Sequence, residues 1–298
     1  MGQIKRLSGL IRACLALVCG GLPGCSGGVL VPHGPVGQAE KTILIDALAI
    51  MLVIGVPTIL ATLVVAWWYR ASNHRARRLP EWSFSGRIEL VVWFIPAMVV
   101  ILLAGVTWIG AHQLDPAKPL EAKGTVEIQA VSLDWKWLFI YPQYGVASVN
   151  QLQIPAGSAV HLSLTSASVM NAFFVPELGS MIYTMNGMVT QLNLRADAAG
   201  TFRGISSHYS GEGFPDMHFD TRAVPARQFS EWIDAARGSG LRLDEAAYVS
   251  LQKQGTSPRM TFGSVAPHLF DRVVSGIPAG PGPPLAHTGA TQASVEPR

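Results

Sequence analysis

Residues 43–69 read ILIDALAIMLVIGVPTILATLVVAWWY, and the fold is decided by this stretch. Asp46 is its only charge. Crossing the hydrocarbon layer of a bilayer takes about 20 helical residues. The stretch is long enough, and Trp67, Trp68 and Tyr69 close it where an interfacial aromatic belt belongs. A second apolar run covers about 88–110, with Glu89 near its start and Trp108 near its end. Two runs of this length with aromatic ends read as a transmembrane hairpin over 42–112 rather than as buried helices of a soluble protein.

Between the runs stand Arg70, Arg75, Arg77, Arg78 and Arg87 against the single acid Glu81. The outer flanks hold only Lys41, Lys118 and Lys123. The positive-inside rule therefore places the arginine-rich loop in the cytoplasm and both ends of the chain outside. Composition agrees: the chain is 49% hydrophobic and 14% charged, well below the roughly 25% charge of soluble domains. A net charge of +3 is too small to argue for a nucleic-acid partner, and that class is set aside.

The first residues read as an export signal. Lys5, Arg6 and Arg12 precede a short apolar stretch that ends in Leu22-Pro23-Gly24-Cys25. This ending resembles a bacterial lipobox, which implies a lipoprotein signal over 1–24 and lipidation of Cys25. Cys14 and Cys19 would leave with the signal, and no cysteine follows Cys25. An exported domain would then have no internal disulfide, although its compartment permits one. Residues 25–41 are Gly/Pro-rich and read as a linker.

From about Thr125 the texture changes. Segments 125–133, 135–141, 151–154, 159–165, 191–194 and 217–223 have strand character, separated by glycine-rich turns. So many short strands within 113–225 predict an antiparallel sandwich or barrel. Phe229, Trp232, Ile233 and Ala236, then Leu243, Ala247 and Leu251, fall at helical spacing. They predict two short helices within a C-terminal extension over 226–273. The Pro/Gly/Ala-rich tail over 274–298 reads as disordered.

Three local motifs sharpen this architecture. They are Glu89-Leu90-Val91-Val92-Trp93-Phe94-Ile95-Pro96, Asp134-Trp135-Lys136-Trp137, and 171–179, Asn-Ala-Phe-Phe-Val-Pro-Glu-Leu-Gly. With the lipidated end and the two helices, they resemble subunit II of the haem-copper oxidases over roughly residues 25–233. The resemblance implies a membrane-anchored α+β chain: a transmembrane hairpin, a cupredoxin-like Greek-key β-barrel or sandwich in the periplasm, and short C-terminal helices.

That family divides by a dinuclear copper site built on two thiolates, two histidines and a methionine. Soft thiolates hold the copper pair. The matching segment here runs from Ser206 to Met217. Ser206 and Ser210 stand at the cysteine positions, Phe214 and Asn171 at the histidine positions, and only Met217 remains. A serine hydroxyl stays protonated near neutral pH and is a poor copper ligand. The pattern is similar to the quinol-oxidising branch, of the cytochrome bo type.

The resemblance implies no cofactor and no metal in this chain, with haem and copper in a large subunit I. It also implies further small membrane subunits, contact with quinol through the complex, and residence in the bacterial cytoplasmic membrane as a multi-pass lipoprotein. Glu89 matches the mouth of a proton channel in the family. The alternative use of Glu89 is a helix-start carboxylate that favours the helix dipole. Asp46 reads as the cap of the first helix, and Trp135 as a packing residue. His208 and His218 lack a thiolate or paired carboxylate and are set aside as ligands. Two rivals stay open: a copper-bearing cytochrome c oxidase subunit, and a membrane lipoprotein binding or assembly module with the same fold.

Overall fold

The computed structural model describes residues 27–276 except 78 and 121–123. Cys25, the signal over 1–24 and all but the first three residues of the predicted tail lie outside the described residues. Helix α1 spans Pro35–Trp68 and α2 spans Gly86–Gln113. Both are long and apolar enough to cross a membrane, and their apolar windows have no internal cover. At 1.5 Å per residue, α1 is about 50 Å long, so part of it extends past the hydrocarbon layer. The two helices meet closely where a Cβ on Gly110 would lie 2.7 Å from Ile43 Cδ1. Small residues of this kind let membrane helices approach.

Helix α1 begins eight residues before the apolar run that signals it. Gly34 is its N-cap, and Pro35 supplies the fixed φ that suits a first helical position. The Gly37 N–H, one of the donors that a helix start leaves open, bonds to Leu178 O at 3.2 Å. The preceding residues lie along the β-domain: His33 N–H donates to Glu177 O at 2.7 Å, and Asp197 N–H donates to His33 O at 2.9 Å. Of the stretch expected to be a linker, residues 27–34 form a docked strap and 35–41 the start of α1. The expectation that Asp46 caps α1 is corrected by the same fact, because Asp46 lies eleven residues beyond Pro35. It shares a groove wall with Gln38, Lys41 and Thr42 instead.

The domain that follows the two helices is a β-sandwich. Its strands are β1 (Thr125–Leu133), β2 (Lys136–Tyr141), β3 (Val146–Val149), β4 (Gln151–Pro155), β5 (Ala159–Ser166), β6 (Asn171–Phe174), β7 (Ile182–Thr184), β8 (Thr190–Leu194), β9 (Gly200–Ser206) and β10 (His218–Val224). The C-terminal extension adds α3 (Ala226–Arg237), β11 (Arg242–Leu243), α4 (Glu245–Gln252), β12 (Met260–Phe262), β13 (Ser264–Val265) and α5 (Leu269–Val274). One sheet runs β12-β3-β2-β1-β5-β8 and faces a second, β4-β10-β9-β6-β7. Pairing is mostly antiparallel, but β1 with β5 and β4 with β10 are parallel. The predicted antiparallel sheet is therefore mixed.

Between the sheets, Trp137, Phe139, Phe173 and Phe219 form a ring cluster with centroids 5.0–6.4 Å apart. Phe219 pairs across the ladder with Gly204, where an added Cβ would fall 2.1 Å from the ring. A second core cluster lies on the other face of the larger sheet, where Leu133, Leu138 and Ile140 meet Tyr248, Leu251, Phe262 and Phe270 of the extension. All six positions of β2 are consequently buried. Lys136 is among them; its ammonium donates to Leu251 O at 2.9 Å and Lys253 O at 2.7 Å. It ties the C-terminal end of α4, where the helix dipole is negative, to the sandwich. Burial pushes its pKa below the usual lysine value, and Asp134 opposes that.

Two outcomes are expected for the full chain. Gly204→Ala forces the Phe219 ring to move and costs about 1–3 kcal/mol by overpacking, read as a lowered urea midpoint. Tyr248 is buried, and its phenol is pushed up to about 12. An unfolded tyrosine ionises near pH 10. The folded phenol keeps its proton longer, so this contribution is present below pH ~10 and is lost as the pH rises towards 12. Urea titrations across that window show the loss, and Tyr248→Phe reduces it.

Candidate functional site

The segment matched to the copper loop is positioned by the aromatic cluster. Phe173 pairs with Ser206 across β6 and β9, so Asn171 and Ser206 lie at neighbouring ladder positions. Met217 directly precedes β10, the strand that sets Phe219 against Gly204. Asn171, Ser206 and Met217 are all buried.

The polar groups satisfy one another. Ser206 Oγ donates to Asn171 Oδ1 at 3.2 Å, and Asn171 Nδ2 donates to Val169 O at 3.2 Å. Ser206 N–H donates to Met217 O at 3.1 Å. Ser210 Oγ points at Met217 Sδ at 3.8 Å. Four of the five sequence-matched positions are therefore brought together. Phe214 instead enters a short 3-10 turn over Phe214–Asp216 and packs its ring on Tyr209 at 5.6 Å.

Trp135 covers this loop. It sits with φ 66° in the two-residue turn between β1 and β2. A left-handed conformation costs a non-glycine residue roughly 1–2 kcal/mol. The indole offsets this by donating to Ser210 O at 3.0 Å. Its ring lies so close to Gly213 that a Cβ there would stand 2.2 Å from Trp135 Cδ2. The packing role expected for Trp135 thus has a particular form: it is a lid over the serine loop.

Three positions to which the sequence assigned no role of their own hold the surroundings. Asn150, at φ 55°, accepts from Trp137 N–H and donates to Ser257 O at 2.8 Å. Thr184 Oγ1 pairs with Ser132 Oγ at 2.9 Å beside Asn171. Lys136 anchors the extension. An Asn at a strand junction was a usable signal for the first, because Asn tolerates the left-handed region. Nothing local marked the other two.

The two histidines are not brought together. The His208 ring meets Tyr183 at 5.9 Å, whereas His218 lines a groove with Asn150, Asp216 and Arg259. Among the described residues, no three His, Cys, Asp or Glu side chains are grouped to hold a metal. Glu89 lies in the first turn of α2, exposed, with its N–H bonded to Ser85 O at 3.0 Å. It is the only acid in that helix.

The fold and the site define a class: a two-sheet β-sandwich behind two helices of membrane-spanning length, with a loop from Ser206 to Met217 whose buried polar groups are hydroxyls and an amide. No protein-family model matches the chain. It is 44% identical over 278 residues to "Ubiquinol oxidase subunit 2" of Acetobacter aceti, covering 92% of this chain and 89% of the relative. It is also 44% identical over 256 residues to "Cytochrome bo(3) ubiquinol oxidase subunit 2" of Pseudomonas aeruginosa, covering 85% and 77%. Among solved structures, the periplasmic domain of cytochrome oxidase subunit II of Bradyrhizobium japonicum is similar at 24% identity and a TM-score of 0.37, covering 40% of this chain and 96% of that one. The chain belongs to the ubiquinol oxidase subunit 2 family.

Replacing Asn171 by alanine takes the nearer acceptor from the buried Ser206 hydroxyl and leaves it only the longer contact with His208 O at 3.4 Å. The expected cost is about 1–3 kcal/mol, measured as a lower urea midpoint of the full chain.

Proposed function

We propose that this chain is the subunit II of a terminal quinol oxidase that oxidises two ubiquinols, reduces one dioxygen to two waters and translocates protons. The chain contributes no redox centre of its own. Haem and copper reside in a large partner subunit, which the two helices brace and the β-domain covers; further small membrane subunits complete the assembly. The observation that carries this reading is the thiolate-free set of Asn171, Ser206, Ser210 and Met217, in a chain of the ubiquinol oxidase subunit 2 family. Hydroxyl and amide groups satisfied by one another offer copper neither a thiolate nor an imidazole.

The protein lies in the bacterial cytoplasmic membrane with its β-domain on the outer side. Cys25 carries lipid after removal of 1–24. The strap supports this reading, because its contacts with Glu177 and Leu178 keep the start of α1 beside the β-domain. Glu89 is the proton-entry carboxylate. A carboxylate at the end of an apolar membrane helix is costly without a partner or water, which makes function the default reading. Glu89 lies at the arginine-loop end of α2, where cytoplasmic water reaches it.

In the purified oxidase, Glu89→Ala is expected to lower quinol-driven oxygen uptake. The haem spectrum stays unchanged, and Glu89→Asp recovers part of the rate. Unchanged turnover removes the proton role. Purification through a tag on this chain tests the wider reading, which fails if no haem-bearing large subunit accompanies it.

A further inference from the structure

The loop that joins α1 and α2 has a chemistry that the oxidase reading does not use. Arg70, Arg75, Arg77 and Arg87 are exposed there, and none forms an ion pair among the described residues. The positive-inside rule accounts for their sign. It does not account for what surrounds them. Trp82 and Phe84 are 56% and 67% exposed in the same loop, and Leu79 is similarly bare. Aromatic side chains left out of a fold at the end of a membrane helix belong at the headgroup level.

Arg70 is also held in place. Its guanidinium lies 4.7 Å from the centre of the Trp67 ring, donates to Trp67 O at 3.1 Å, and donates to Ser72 Oγ at 3.0 Å. A stacked, oriented guanidinium still has donors free in the fork geometry that matches a phosphate. The first turn of α2 adds backbone N–H groups that no side chain caps.

We propose that loop 69–87 is a binding surface for anionic phospholipid headgroups, with Arg70 as its positioned phosphate ligand and Trp82 and Phe84 as its interfacial anchors. Anionic lipid fits better than an acidic protein partner, because unpaired arginines are interleaved with exposed aromatics next to two bilayer-length helices. Each arginine near an anionic surface contributes about a fivefold preference. The proposal rests on the reading of α1 and α2 as membrane-spanning.

The test uses the assembled complex in nanodiscs that contain photoreactive phosphatidylglycerol or photoreactive phosphatidylcholine, with labelled peptides mapped by mass spectrometry. Phosphatidylglycerol is expected to label 69–87 at least about fivefold more than phosphatidylcholine. The preference should shrink at high salt. Replacing all five loop arginines, Arg70, Arg75, Arg77, Arg78 and Arg87, by lysine lowers it but keeps part of it, because lysine carries the charge without the fork, whereas replacing them by glutamine abolishes it. Equal labelling by the two lipids, a preference that survives in the glutamine variant, or crosslinks from the loop to a protein subunit in place of lipid would each overturn the proposal. Labelling that misses α1 and α2 altogether overturns the membrane reading, and this proposal with it.

Discussion

The contact between the Phe219 ring and the backbone at Gly204 is the constraint on which the β-domain turns. It brings β9 and β10 together with no side chain between them, and it places the ring among Trp137, Phe139 and Phe173. Those rings come from both sheets, so one cluster sets the spacing of the sandwich. The ends of the strands it fixes carry Ser206 and Met217, and the strand beside them carries Asn171. The geometry of the candidate site is therefore a product of packing several residues away, and it requires no metal to hold it.

The loop keeps its shape through hydrogen bonds. Ser206 bonds to Asn171 and, through the backbone, to Met217, while Trp135 closes the loop from above. Each bond contributes only about 1 kcal/mol net. Their larger effect is that no buried polar group of Asn171 or Ser206 is stranded. In the proposed function the weight lies on the membrane segment, where Glu89 and the arginine-rich loop stand at the same end of the hairpin.

Much of this was legible in the sequence, and the parts that were not have physical reasons. Residues 125–133 announced β1 to the residue, because the strand is long and its partners leave a strong apolar pattern. The strands at 146–149, 171–174 and 182–184 are three or four residues long, too short to show a period. The strand at 200–206 hid behind Gly204, whose role depends on a ring fifteen residues away. The start of α1 at Pro35 could not be read from hydropathy, since it is stabilised by carbonyls of the β-domain. The same limit misplaced Asp46. In the extension, the two helices were visible by spacing, but β12 joins the larger sheet and Lys136 reaches α4 only through contacts over a hundred residues apart. The site was legible as a set of substituted ligand positions. That Phe214 turns to Tyr209 was not, because the turn at Phe214–Asp216 decides it.

If the serine loop is a hydrogen-bonded remnant that holds no copper, copper loading should leave the protein bare. The full chain, purified in detergent, is incubated with copper under reducing and then oxidising conditions and passed through a chelating column. Copper well below one per chain is expected, with no thiolate-to-copper absorption in the visible spectrum. One or two coppers per chain that resist the chelator would contradict a loop held by hydrogen bonds alone.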